Sequence, residues 1–172
     1  MRPSAECFKK IVGDKPVKVL ECGVWTGDNA TVLYENFNCE WLYLMDKWYE
    51  YYEHYHFPGM HQYAVKVFEK FDNKPNVIII RADTLTFPLF PKAYFDYIYL
   101  DDNHSYEHVI QEITKYDAIL KPGGVIGGDN YEIAGVKKAV DQYYGEKRIS
   151  TAPWKKASNG NDVLDWWIYK EK

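Results

Sequence analysis

Apolar residues fall along this chain in two rhythms. Short runs bounded by polar residues occur at VKVLECGV (17–24), Cys39 to Met45, NVIIIRAD (76–83) and FDYIYL (95–100). Each is short and rich in β-branched or aromatic residues, so each predicts a buried strand. Elsewhere the spacing changes to three and four. Val109, Ile110, Ile113, Tyr116, Ile119 and Leu120 share a helical face, as do Val136, Ala139, Val140 and Tyr143 within 133–144. Helices are also predicted at roughly 4–12 and from Asp28 to about Phe37. Lys121-Pro122-Gly123-Gly124 reads as the stop of the 109–120 helix, a turn into the short run VIGG. KRIST (147–151) and VLDWWIYK (163–170) suggest a last antiparallel pair at the sheet edge.

Strands alternating with helices predict an α/β fold: a doubly wound, mostly parallel seven-stranded sheet with an antiparallel edge hairpin. With 172 residues, one domain spanning 1–172 is expected. The predicted strands end in acid: Asp46, Asp83, Asp101-Asp102 and Asp129-Asn130. Parallel neighbours lie ~4.8 Å apart, so Asp101, Asp129 and Asn130 converge at one carboxyl edge if their strands are adjacent. Open α/β sheets bind ligands at that edge.

Composition narrows the classes. The net charge is -4 with no basic stripe, which argues against a nucleic-acid partner. The three cysteines show no CxxC spacing, which fits a reduced, cytoplasmic chain. The N-terminus carries no apolar leader, and no apolar run approaches ~18 residues, so no membrane association is expected. His54, His56 and His61 lack the partners and spacing of a zinc site. They lie in the aromatic segment Trp48 to Tyr63, which fits either an amphipathic helix on the sheet or a flap over a ligand.

After the first strand the chain runs Glu21-x-Gly23-x-x-x-Gly27, then Asp28. This is not the G-x-G-x-x-G of dinucleotide sites, and Asp28 would repel a pyrophosphate from the helix N-terminus. A zwitterionic or cationic ligand suits it better. Asp46 is placed to take two ribose hydroxyls, and Asp83 to accept from an adenine amino group. The parts describe a site for an adenosine joined to an amino acid.

VLECGVWTG (19–27), YLMD (43–46), RADT (81–84), FDYIYLDDNHSYEHVIQEI (95–113) and LKPGGVIGGDNY (120–131) resemble the class I S-adenosylmethionine-dependent methyltransferases. The last two blocks are similar to the metal-dependent sugar and macrolide O-methyltransferase branch. The resemblance covers roughly 17–145. It implies a Rossmann-like fold and S-adenosylmethionine as methyl donor. It also implies a cofactor site at Glu21, Gly23, Thr26, Gly27, Asp46, Lys47, Trp48, Asp83, Thr84 and Asp101. Asp101, Asp129 and Asn130 would bind Mg²⁺, and His104 would be the general base working beside Asp101.

The chemistry is consistent with that implication. Three oxygen ligands select a hard cation such as Mg²⁺. A metal-bound hydroxyl becomes a nucleophile near neutral pH. With Ser105 as the N-cap of the next helix and a dication nearby, His104 is expected to be neutral. Other readings stay open: Asp129-Asn130 also suits a turn or cap, His104 a hydrogen-bonded loop, and Asp102 either the ligand site or water. The first reading is O-methylation of a hydroxyl on a sugar or other small molecule. A metal-independent methyltransferase and a silent nucleoside-binding module are the alternatives. No cap domain is expected, so either the site is open to a large substrate, or the 48–63 segment and a second copy of the chain complete it.

Overall fold

In the computed structural model, residues 1–171 are described except Glu50, Glu53, His54, Phe57 and Leu89; for Tyr51, Tyr52, Tyr55 and His56 only the backbone is. β1 (Val17–Cys22) lies mid-sheet between β2 (Cys39–Asp46) and β6 (Phe95–Leu100), parallel to both. Outward from β2 lies β5 (Val77–Arg81), and outward from β6 lies β7 (Leu120–Gly128), again parallel. β9 (Asp162–Tyr169) runs antiparallel between β7 and the edge strand β8 (Ser150–Lys156). The seven-stranded order is β5-β2-β1-β6-β7-β9-β8, which bears out the mostly parallel sheet with an antiparallel edge hairpin.

Alternation along each strand feeds two cores, because successive side chains point to opposite faces. Leu20, Met45, Ile98 and Ile126 meet α4 (Tyr106–Asp117) and α5 (Ala134–Tyr144) through Val109, Ile113, Tyr116, Val136 and Val140. Val19, Leu44, Tyr97 and Val125 meet α1 (Pro3–Val12), α2 (Asp28–Asn36) and α3 (Met60–Phe71) through Phe8, Leu33 and Val67. Each large apolar side chain fully buried this way contributes roughly 1.5–3 kcal/mol.

Three expectations need correction. Lys121 to Gly124 is not a turn but the start of β7. The Gly123 N–H donates to the Lys170 carbonyl and the Lys170 N–H to the Gly124 carbonyl, so the ladder runs past Pro122. The register slips there, Phe95 facing Leu120 and Tyr97 facing Val125, and the slip absorbs the proline. Ile119 and Leu120 therefore leave the helix. Residues 147–149 fall largely in a 3₁₀ turn (Glu146–Arg148), and the strand begins at Ser150. Finally, α3 begins only at Met60, after Pro58-Gly59, and runs on to Phe71. Its inward residues Ala64, Val67 and Phe71 are interleaved with exposed Val65 and Phe68, which blurs the face in the sequence. Before it, β3 (Tyr51–Tyr52) and β4 (Tyr55–His56) form a small antiparallel pair. Whether 48–63 is a flap falls largely outside the described residues.

Candidate active site at the carboxyl edge

The ends of β1, β6 and β7 are tied side by side. The Asp101 N–H donates to the Cys22 carbonyl at 2.8 Å, and the Asp129 N–H to the Leu100 carbonyl at 3.3 Å. Gly23, at φ 81°, makes this closeness possible: a Cβ there would stand 2.0 Å from the Asp101 carbonyl oxygen. The glycine is thus required by the approach of two strand ends as well as by any ligand.

Glu21 lies 1% exposed at the end of β1, where Oε1 accepts from Asn29 Nδ2 at 3.0 Å. Its Oε2 is buried without a hydrogen-bond partner. Burial, with Asp101 and Asp46 nearby, pushes the Glu21 carboxyl up to about 8. Asp46 is also buried, and burial raises its pKa. Its carboxylate accepts the backbone N–H groups of Trp25 (2.8 Å) and Trp48 (2.7 Å). Trp48 is buried and donates Nε1–H to the Trp25 carbonyl, which fixes the loop around Asp46. Thr26 hydrogen-bonds Asp28, which also pairs with Lys70, so the acid at the head of α2 is tied down. Gly27 takes φ 76°.

Asp83 turns back on its own loop, accepting from the Leu85 and Thr86 N–H groups, with Lys47 Nζ 3.4 Å away. Thr84 is fully buried and donates to Asp102 at 3.1 Å. Asp102 does not face water. It lies 3.3 Å from His108 Nε2, which is 3.4 Å from Glu112. Burial opposes charge on His108, but the two carboxylates raise it to about 9, so it is an imidazolium clamped between acids. The sequence reading missed this triad, although His108 and Glu112 at i, i+4 on one helix were its visible signal.

On the other side of Asp101, His104 Nε2 is buried, makes no hydrogen bond, and stands 3.6 Å from Asp101 Oδ1. Burial lowers its pKa, but Asp101, Asp129 and Asp102 outweigh that and raise it. The expectation that the surroundings disfavour the imidazolium is therefore corrected: the acids instead favour it, which makes His104 a stronger base. Ser105 does occupy the N-cap of α4, but its side chain makes no cap bond. The Asn103 side chain accepts the Ser105 N–H instead, at 2.6 Å. Gly135 of α5 closes the loop from behind, since a Cβ there would meet the His104 carbonyl at 2.5 Å.

A residue the sequence reading did not consider completes the edge. The Arg2 guanidinium lies between the two predicted metal ligands, 3.2 Å from Asp101 Oδ2 and 2.9 Å from Asp129 Oδ2. It stacks on the Trp154 ring at 3.3 Å. Trp154 Nε1 and the Asn130 N–H both donate to the other oxygen, Asp129 Oδ1, at 2.8 Å. The Asn130 side-chain amide donates to Glu132 at 3.0 Å.

A family model described as a methyltransferase domain matches residues 20–131. The chain belongs to that methyltransferase family. A search of curated proteins found no match. Among solved structures, the N-methyltransferase NodS from Bradyrhizobium japonicum WM9 is similar at 13% identity and TM-score 0.69, over 97% of this chain and 94% of that one. NodS in complex with S-adenosyl-l-homocysteine gives 14% and 0.67, over 99% and 89%. An rRNA methylase from Streptococcus thermophilus gives 14% and 0.69, over 100% and 98%. These likenesses carry the fold.

As the edge stands, the methyltransferase does not fit the Mg²⁺ expected at Asp101, Asp129 and Asn130. Both carboxylates already hold a buried cation, and both oxygens of Asp129 are engaged. No helix among the described residues is long and apolar enough to cross a membrane.

Proposed function

We propose that this methyltransferase transfers the methyl group of S-adenosylmethionine to a hydroxyl of a small molecule, such as a sugar, bound at the edge beside Asp101. One observation carries the reading: Glu21 Oε2 and His104 Nε2, on either side of Asp101, are buried without hydrogen-bond partners, as is Arg2 Nη1 beside them. Glu21 calls for a cation, and the α-ammonium of S-adenosylmethionine supplies one. Asp46 retains acceptor capacity for a ribose hydroxyl beyond its two backbone donors. When bound, the cofactor supplies an electrophilic methyl on a sulfonium. The chain's own contribution is to hold the acceptor oxygen in line and to take its proton at His104 Nε2. Asp101 orients and stabilises the imidazolium that results.

The acceptor is a small molecule in this reading because net charge -4 and an acid-lined edge disfavour phosphate backbones. Calorimetry with S-adenosylmethionine, followed by transfer of labelled methyl to panels of glycosides, phenols, amines and RNA, tests it. Absence of cofactor binding would defeat the donor assignment. Transfer to amines or RNA but not to hydroxyls would defeat the acceptor assignment.

A further inference from the structure

We infer that Arg2 is this chain's resident cation at the acceptor edge, standing where a divalent ion would otherwise bridge Asp101 and Asp129, so that methyl transfer here proceeds without a divalent metal. The inference rests on the reading above that this edge receives the acceptor.

The geometry leaves little room for anything else. Asp129 Oδ2 faces Arg2 at 2.9 Å, while Oδ1 accepts from Trp154 and from the Asn130 backbone. Asp101 offers one oxygen to Arg2 and the other to His104. The Arg2 side chain is only 10% exposed and sandwiched toward Trp154 and Tyr99. To enter, a dication would have to expel a guanidinium from an aromatic stack and strip Asp129 of its donors. The guanidinium hydrogen-bonds Asp101 through Nη2 and pairs with Asp129 by charge alone, since Nη1 makes no hydrogen bond, and it never loses its charge.

The helix behind Arg2 holds it there. The Ser4 N–H donates to Asp165 at 2.7 Å, and Ser4 Oγ shares a hydrogen bond with the Tyr97 hydroxyl at 2.8 Å. Asp165 in turn accepts from Tyr99 at 2.9 Å. Gly127 lets α1 sit flat on β7, since a Cβ there would meet Ser4 Cβ at 2.9 Å. The first turn of α1 is therefore bolted to the sheet, and Arg2 extends from it as a tethered charge.

The substitution changes the chemistry. A dication accepts a lone pair from a hydroxyl and lowers its pKa. Arginine only donates hydrogen bonds. It can orient an acceptor oxygen and offset the charge of the two acids, but removal of the proton is left to His104.

The test uses Mn²⁺ as probe, read by electron paramagnetic resonance on the ligand-free full chain, so it does not depend on cofactor binding or turnover. Wild type is expected to bind no Mn²⁺ at millimolar concentration. Arg2→Ala is expected to gain one Mn²⁺ per chain, and Arg2→Ala combined with Asp129→Asn to lose it again. If circular dichroism shows Arg2→Ala unfolded, Arg2→Gln gives the same reading. Stoichiometric Mn²⁺ in wild type that is lost in Asp129→Asn would overturn the inference. So would a folded Arg2 variant that gains no Mn²⁺, because the guanidinium would then not be standing in a cation site. Labelled-methyl transfer is expected to be unchanged by EDTA; loss of transfer restored by Mg²⁺ would also overturn it.

Discussion

Glu21 and Asp129 are both buried carboxyls at the same sheet edge, on opposite sides of Asp101. Glu21 has one amide donor on one oxygen and nothing on the other. Asp129 has a guanidinium on one oxygen and two N–H groups on the other. Burying a carboxyl without donors costs far more than burying one that is paired. The donor side of the edge therefore waits for a ligand to complete it, whereas the acceptor side carries its own counter-charge. In the proposed reading, Glu21 is the carboxyl that the cationic cofactor meets. Internal compensation marks where the chain has replaced a ligand's charge with a side chain.

The sharpest way to break this comparison is His104→Ala. It removes the proton acceptor and leaves the Glu21 side intact. Turnover is expected to fall by about 10²–10⁴-fold, with the Kd for S-adenosylmethionine within roughly twofold of wild type. Single-turnover transfer and calorimetry on the same sample separate the two. Equal turnover in the variant would remove His104 from the chemistry and leave the acceptor side without a base.

Gly23→Ala attacks the joint between the two sides. The added methyl meets the Asp101 carbonyl, and the residue would also hold φ 81°. Together these are expected to cost on the order of 3–5 kcal/mol of stability. Urea unfolding measures it. A loss under ~1 kcal/mol would mean that β1 and β6 separate readily, and that the two sides are not rigidly coupled.

What could be read from the sequence follows the same division. The donor side is built from neighbours in sequence: Glu21, Gly23, Gly27 and Asn29 lie on one strand-turn-helix. Spacing and residue type announce it, and the strand ends at Asp46, Asp101 and Asp129 are visible because acids interrupt apolar runs. The acceptor side depends on Arg2 and Trp154, which reach the edge from opposite ends of the chain. Nothing local distinguishes an arginine before a helix from a solvated one. A motif that matches three metal ligands cannot reveal that a distant arginine lies between two of them. The Pro122-Gly123-Gly124 stretch was misread for a related reason. Its residues favour a turn, but pairing with Lys170, dozens of residues later, draws them into β7.

Glu21→Gln sharpens the donor side. It keeps the shape and the Asn29 contact but removes the charge that S-adenosylmethionine would meet. A hydrogen bond to a charged group contributes about 1.5–3 kcal/mol, so affinity should weaken roughly 10–100-fold, with turnover at saturating cofactor little changed. Unaltered affinity would show that the orphan oxygen faces no ammonium.

The most specific effect expected is a dependence on pH. Glu21 titrates near 8 in the folded chain, against about 4.5 as an ordinary carboxyl. Between those values the folded state holds more protons than the unfolded one, so stability must fall as pH rises through that window. His108, raised to about 9, contributes in the same direction: its stabilisation is full below about 6.5 and is lost as pH rises through 9. The melting temperature of the ligand-free chain should therefore drop by on the order of 10 °C between pH 6 and pH 8.5. Glu21→Gln removes only the first contribution, so its drop should be shallower. Because an ammonium favours the ionised carboxylate, cofactor binding at pH 7 should release a proton. Calorimetry in two buffers of different ionisation enthalpy would detect that release. If wild type and Glu21→Gln show the same pH slope and no proton leaves on binding, Glu21 is already satisfied in the free chain, and the contrast between a side that waits for charge and a side that supplies its own disappears.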